Sequence, residues 1–254
     1  MKTMLTAVVL AGNEAKNLPE CLKSLSFCDG ILLVDDESSD NSVSIAKKHG
    51  AQTVTRPLDG DFAAQRNFAL SNVASGWVLF VDPDEIVTAD LAAEILQAVK
   101  RIEFKGYFIR RLDTLWGQSL HHGDQGSIRF LRLGRKGAGE WQGKVHERWV
   151  ISGQTSGLKN PLMHHPHPTV SDFVNSQNLY STLRARELFE TGVRSNIFQI
   201  VFYPIAKFVS LYLFKKGFLD GIPGFISASM MSFYSFLVRG KLYLLGKGIT
   251  ENSS

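Results

Sequence analysis

Along the first hundred residues, short unbroken apolar runs alternate with stretches whose apolar positions recur every three or four residues. Leu5–Leu10, Gly30–Val34 and Trp77–Val81 are continuous runs with β-branched content, the pattern of strands buried on both faces. Gln52–Thr55 predicts a short further strand. Between them, Ala15–Leu25 carries Leu18, Leu22 and Leu25 on one helical face, with Pro19 near its start. Asn41–His49, stopped by Gly50, and Asp61–Ser71 also read as helices, and Asp90–Arg101 as an amphipathic one. Such alternation predicts an α/β fold: a mostly parallel sheet with helices on both faces. Ligands on these sheets sit beyond the carboxyl ends of the strands.

The pattern changes at Gly106. Tyr107-Phe108-Ile109 and Ile128–Leu133 alternate, and Gly-rich turns separate them, which predicts antiparallel strands completing the sheet. Leu158–Thr169, with Pro161, Pro166 and Pro168, reads as a loop, and Val170–Thr191 as a helix. Two long apolar stretches follow, Ile197–Phe214 and Phe218–Val238, separated by Lys215-Lys216-Gly217. The first contains Gln199, Pro204 and Lys207, and the second Asp220 and Pro223. A spanning helix needs about 20 apolar residues with few charges. These interruptions fit interfacial helices or a shallow re-entrant hairpin better, against the alternative of a buried helix pair or a dimer interface. The expected division is therefore an α/β domain over residues 1–168 and a helical, membrane-facing segment over 169–254.

Charge supports that division. The net charge is +4, yet from Leu183 to the end there are nine Lys/Arg against four Asp/Glu, together with nine of the 17 Phe. A basic, Phe-rich tail on a near-neutral body suits a membrane surface, and no basic run or motif suggests nucleic acid. Cys21 and Cys28 are too few for a disulfide framework and lack zinc-binding company, which fits a reducing, cytoplasmic setting. The N-terminal apolar run is too short for a signal peptide and reads as the first strand.

Two acid clusters carry the candidate chemistry. Asp82-Pro83-Asp84-Glu85 follows the strand Trp77–Val81 directly. In an extended segment, Asp82 and Asp84 would point the same way and bind one hard cation, Mg²⁺ or Mn²⁺, with diphosphate oxygens and water as further ligands. The cation would neutralise charge on a leaving nucleoside diphosphate. The alternative is a solvated turn capping the next helix. The second cluster, Asp35-Asp36-Glu37-Ser38-Ser39-Asp40, ends the strand Gly30–Val34. Its carboxylates could accept hydrogen bonds from a base or ribose, or could simply form an Asx-turn and N-cap. Gly12-Asn13-Glu14 is neither a dinucleotide fingerprint nor a phosphate-binding P-loop, which counts against an NAD enzyme or a P-loop NTPase.

Taken in order, Asn13-Glu14, the Asp35–Asp40 loop, Gln65-Arg66-Asn67 and Asp82-Pro83-Asp84-Glu85 resemble the family 2 glycosyltransferases of GT-A fold, whose nucleotide-sugar-binding domain is Rossmann-like. The resemblance implies that Ala11, Asn13, Glu14, Asp35, Asp36, Arg66 and Asp82 line the nucleotide-sugar site, and that Asp84 and Asp82 hold the metal. A guanidinium such as that of Arg66 pairs well with diphosphate. Arg129-Phe130-Leu131-Arg132 and Trp141–Glu147 are similar to motifs of the bacterial lipopolysaccharide-core subgroup, although Phe130-Leu131 reverses the usual Leu-Phe order.

An inverting transfer needs one base for the acceptor hydroxyl. Glu147 is the candidate, and His146 beside it is a second catalytic candidate or a structural hydrogen-bonding residue. His164 or His165 could lie near the diphosphate, with a surface loop as the alternative. The implied reaction moves a sugar from a nucleoside-diphosphate donor, UDP-linked by expectation, to a hydroxyl of a lipid-linked or lipopolysaccharide-type glycan. It would occur peripherally on the cytoplasmic face of the inner membrane. The competing reading is a catalytically inactive glycan-binding or scaffold module of the same fold.

Overall fold

The computed structural model describes residues 4–115, 117–123, 128–144, 147–165 and 169–249. They form two compact units: residues 1–112 with 128–164, and residues 113–127 with 165–254.

The first unit is a mixed sheet with helices. Its parallel part comprises β1 (Leu5–Ala11), β2 (Gly30–Asp35), β3 (Gln52–Thr55) and β4 (Trp77–Val81), with β1 paired to both β2 and β4 and β3 at the edge. The connecting helices are α1 (Leu18–Ser24), α2 (Ser42–Lys48) and α3 (Phe62–Asn72). Every residue of β4 is buried, as its unbroken apolar run predicts. Burying side chains such as Leu79 and Phe80 stabilises the fold by about 1.5–3 kcal/mol each. Gly76 leads into β4 at φ +96°, where a Cβ would stand 2.3 Å from the Met4 carbonyl oxygen. The expected α/β class is borne out.

Past β4 the chain makes a short strand, β5 (Glu85–Ile86), and a helix, α4 (Ala89–Ala98), capped by Thr88 Oγ1, which accepts from Leu91 N at 3.3 Å. β6 (Gly106–Leu115) then begins the antiparallel part and hairpins onto β7 (Gln118–Ser119) in the second unit. β8 (Arg129–Arg135) lies between β4 and β6, antiparallel to both. β9 (Gly139–Gln142) and β10 (Arg148–Ile151) form a ribbon of their own that sets Trp141 opposite Trp149. β11 (Thr155–Gly157) pairs with β6.

Leu158–Thr169 is not the simple loop expected. Leu162–His164 forms β12, antiparallel to β5, with His164 opposite Glu85. Three residues between prolines carry too little local pattern to announce a strand; pairing with β5 supplies it.

In the second unit, α5 (Val170–Glu190) starts at a Thr169 cap and α6 (Ile197–Val209) at an Asn196 cap. One π-helical turn, Ser210–Phe214, and one 3₁₀ turn, Gly217–Asp220, lead into α7 (Gly221–Gly246). The buried amine of Lys241 on α7 donates to Asn178 O, Asn178 Oδ1 and Thr182 Oγ1 of α5 at 2.6–2.8 Å. Ser232 Oγ donates to the Pro204 carbonyl at 2.7 Å and ties α7 to α6. No residue of α6 is buried.

Candidate active site

Both acid clusters sit at carboxyl ends of parallel strands, as expected, but they are organised differently. At the β1 and β2 ends the two loops are stitched together. Asn13, held at φ 59°, accepts on Oδ1 from Ser39 N at 2.9 Å, while its own N–H donates to Ser38 Oγ at 2.9 Å. Glu14 N donates to Ser42 Oγ and Ala15 N to Asp40 Oδ2. Asp35 is buried and accepts from Ser38 N at 3.2 Å, and Asp36 Oδ1 accepts from Leu58 N at 2.6 Å. Asn13 and Asp35 thus fasten the two loops to each other. Ala11 is a buried strand end, and Glu14 remains half-buried. Burial raises the Glu14 carboxyl above its ordinary range, against the Asn17 hydrogen bond, and the charges of Asp84 and Asp40 raise it further.

At the β4 end the chain does not continue extended. Asp82 to Glu85 closes a turn, with Glu85 N donating to Asp82 O at 3.0 Å, so the two aspartates face different partners. Asp82 meets two guanidiniums. Arg66 Nη2 reaches its Oδ1 at 3.0 Å; Arg132 reaches Oδ1 through Nη1 at 3.1 Å and Oδ2 through Nη2 in a very short contact. Arg132 Nη2 also lies 3.4 Å from Glu85 Oε1. Glu85 is fully buried and accepts from Asp82 N at 2.8 Å. Burial alone would raise Asp82, but Arg132 and then Arg66 outweigh it and hold this carboxyl far below the usual range. Burial pushes Glu85 up, Arg132 pulls against it, and Asp82 adds to the rise.

Arg66 connects this cluster to Glu147. Its Nε donates to Glu147 Oε1 at 2.8 Å, and its guanidinium lies over the rings of Trp141 (4.7 Å) and Phe80 (5.5 Å). Trp141 and Trp149 stack at 5.5 Å, and Phe80 packs edge-on against both. Asn67 fixes the helix against the ribbon: Nδ2 donates to Trp141 O at 2.9 Å and Oδ1 accepts from Trp141 N at 2.8 Å. With Arg66 only 6% exposed, its Nη1 is buried without a hydrogen-bond partner among the described residues. A buried guanidinium nitrogen in that state calls for an anion.

Asp84 stands apart from the arginines. Its Oδ2 lies 3.1 Å from His164 Nε2, with 31% of its side chain exposed. Among the described residues there is no group of three or more acids, His or Cys that could hold a metal alone. A cation here would therefore rest on Asp84 and His164, with substrate oxygens and water completing its shell, an arrangement that suits Mg²⁺ or Mn²⁺. Asp82 directs both carboxylate oxygens to guanidiniums, whereas Asp84 lies beside His164.

Arg66, Asp82 and Glu147 are thus brought together. His146 falls outside the described residues. Arg132 and Glu85 were not singled out as site residues from sequence; the Arg-Phe-Leu-Arg strand was visible, but nothing in it says which arginine turns inward.

Comparison with known proteins gives a consistent result. A sequence model described as glycosyl transferase family 2 matches residues 6–151. A lipopolysaccharide core biosynthesis glycosyltransferase, LpsC of Rhizobium meliloti, is 30% identical over 95% of this chain and 93% of its own length. An uncharacterized glycosyltransferase of Rickettsia typhi is 26% identical over 95% and 87%. The crystal structure of S. aureus TarS 1–349 covers 96% of this chain and 92% of that one, with a TM-score of 0.51 and 14% identity, a likeness of fold.

Proposed function

Because the chain belongs to glycosyltransferase family 2, we propose that it transfers a sugar from a nucleoside-diphosphate donor, UDP-linked, to a hydroxyl of a lipopolysaccharide-core or other lipid-linked glycan, with inversion. The observation that carries this reading is Arg66, which bridges Asp82 and Glu147 while one buried nitrogen has no hydrogen-bond partner among the described residues. That nitrogen faces the donor diphosphate. Ala11, Asn13, Glu14, Asp35 and Asp36 shape the base and ribose side of the pocket. Asp82, fixed by Arg132, lies between the two halves of the site.

Asp84 and His164 would hold a divalent cation, which supplies neutralising charge for the leaving diphosphate. Glu147 accepts the acceptor hydroxyl proton as that oxygen bonds to the anomeric carbon. The bond from that carbon to the diphosphate oxygen breaks, and the nucleoside diphosphate leaves from the opposite face, which inverts the centre. Arg66 keeps the Glu147 carboxylate oriented for this step.

Donor chemistry is assigned to residues 1–168. Residues 169–254 bring the enzyme to the cytoplasmic face of the inner membrane as a peripheral protein. Helical segments Ile197–Phe214 and Gly217–Gly246 are long and apolar enough to cross a bilayer, with only 6% and 22% of their apolar windows buried. Their lysines and prolines favour an in-plane or re-entrant placement. The relative's name supports the acceptor class.

Isothermal titration with UDP, GDP and CDP, each with Mn²⁺ and with chelator, tests the site. Metal-dependent binding of UDP, lost in Asp84→Ala, is the expected result. A folded protein that binds no nucleotide would overturn the transferase reading and leave a scaffold of the same fold.

A further inference from the structure

The turn joining the two apolar helical segments is built more firmly than a connecting loop requires. Lys215 N donates to Ser210 O at 2.8 Å, Lys216 N to Leu213 O at 3.1 Å, and Leu219 N to Lys216 O at 2.9 Å. Lys216 holds φ 58°. Beneath the turn, Tyr212 stacks on Phe208 at 5.4 Å and meets Phe225 and Phe218 edge-on at 5.6 and 6.3 Å. Gly217 and Gly224 approach so closely that a Cβ on Gly224 would stand 2.1 Å from Gly217 O.

A second turn is tied to the first. Gly123 N donates to Lys215 O at 3.0 Å, which lays His121-His122-Gly123 alongside the lysines. His122 donates from its backbone N at 2.8 Å and from Nδ1 at 2.7 Å to the carboxylate of buried Asp220. Nδ1 of His122 is thereby committed to Asp220. His121 is exposed and His122 half-exposed.

Charge and apolar surface are sorted around these turns. Between residues 197 and 249 the sole acid is Asp220, against Lys207, Lys215, Lys216, Arg239, Lys241 and Lys247. Asp220 is buried and hydrogen-bonded to His122, so between residues 197 and 249 no acid is exposed. On either side of the lysine pair, Leu213, Phe214, Phe218, Leu219 and Ile222 stand in the open, Phe214 at 80% and Ile222 at 75% exposure. A bilayer offers both complements at one depth: acyl chains for the rings and phosphates for the lysines.

We propose that Lys215 and Lys216, with His121 and His122, form a binding site for the phosphates of anionic lipid headgroups, the flanking apolar side chains entering the acyl boundary. This rests on the membrane-surface reading of residues 169–254 and names its ligand.

Flotation with vesicles of phosphatidylcholine, and of equal parts phosphatidylcholine and phosphatidylglycerol, tests it on the full chain. The wild type binds the anionic vesicles about tenfold or more tightly than the neutral ones. Lys215→Glu with Lys216→Asn, the asparagine chosen because it tolerates positive φ, removes that preference while the thermal melt stays in place. Phe214→Ser with Ile222→Ser weakens binding to both vesicles about equally. Equal binding of the wild type to the two vesicles, or an unchanged preference in the lysine variant, sinks the phosphate site and leaves the membrane reading standing. A wild type that floats with neither sinks both. Displacement of bound vesicles by millimolar-scale inorganic phosphate would reassign the turn to a free phosphate ligand and overturn the lipid assignment.

Discussion

The β4 end of the first unit and the α6–α7 hairpin of the second treat charge in opposite ways. The first encloses Arg66, Arg132, Asp82, Glu85 and Glu147 in one hydrogen-bonded network beside stacked tryptophans. The second encloses one carboxylate and one lysine, and puts its rings outside. A buried ionic network adds little stability over an apolar core of the same volume and instead fixes geometry, and among the described residues this one leaves Arg66 Nη1 unanswered. That suits a site that must hold a polyanion and a base in register. An apolar exterior with a positive rim is unstable in water unless a low-dielectric partner covers it. The contrast separates an enclosed ionic network from an exposed apolar and basic surface.

The sharpest way to break this contrast is to remove the proposed base alone. Glu147→Gln keeps an oxygen for Arg66 Nε and is expected to lower kcat by about 10²- to 10⁴-fold, with nucleotide affinity within about threefold, read by steady-state kinetics and titration. Unchanged turnover would make Glu147 a structural anchor. Next, Arg132→Met leaves buried Glu85 without its guanidinium and Asp82 with Arg66 alone. A loss of about 3–5 kcal/mol, seen as a first thermal transition about 10 °C lower, is the expected result. Adding Glu85→Gln should restore part of it, and a melt insensitive to both changes would refute the network's role.

The corresponding change outside should do little to the fold. Phe198→Ser with Phe202→Ser, at two exposed rings stacked 6.5 Å apart, is expected to move the melting temperature by about 1 °C or less while lowering the fraction of protein that floats with vesicles. A large drop in melting temperature would mean that these rings pack against protein.

The smallest effect is a pH dependence. A carboxyl raised in the folded state contributes stability below its unfolded pKa and loses it as pH rises through the folded value. Glu14 is such a group, so Glu14→Gln should melt higher than wild type at pH 7, by on the order of 1 °C after allowing for its exposed half, and equally at pH 4. A difference that grows toward acid pH would contradict the sign. Asp82 behaves oppositely: its contribution is present above the ordinary Asp range and fades only as strong acid is approached.

Much of this architecture was legible because its determinants are local. The unbroken runs Leu5–Leu10, Gly30–Val34 and Trp77–Val81 leave no polar face and therefore demand cover on both sides, which only an α/β sheet provides. The acids that follow β2 and β4 announce the carboxyl edge. Lys215-Lys216-Gly217 marks a break between two apolar stretches by composition alone. The strand at Leu162–His164 escaped notice because its partner, Glu85–Ile86, is itself hidden in what reads as an acid loop.

What the chain order by itself determined is the class of fold, the family and the list of polar groups at the strand ends, since periodicity and motif order are properties of neighbouring residues. The tertiary structure decided which of those groups meet. Arg66 and Glu147 lie 81 positions apart, Arg132 and Asp82 lie 50 apart, and Asp84 and His164 lie 80 apart. No sequence period reports such encounters. They depend on how an antiparallel strand, a small ribbon and an edge pair are laid against the parallel core, and a shift of one residue in any of those registers would turn each side chain to the other face.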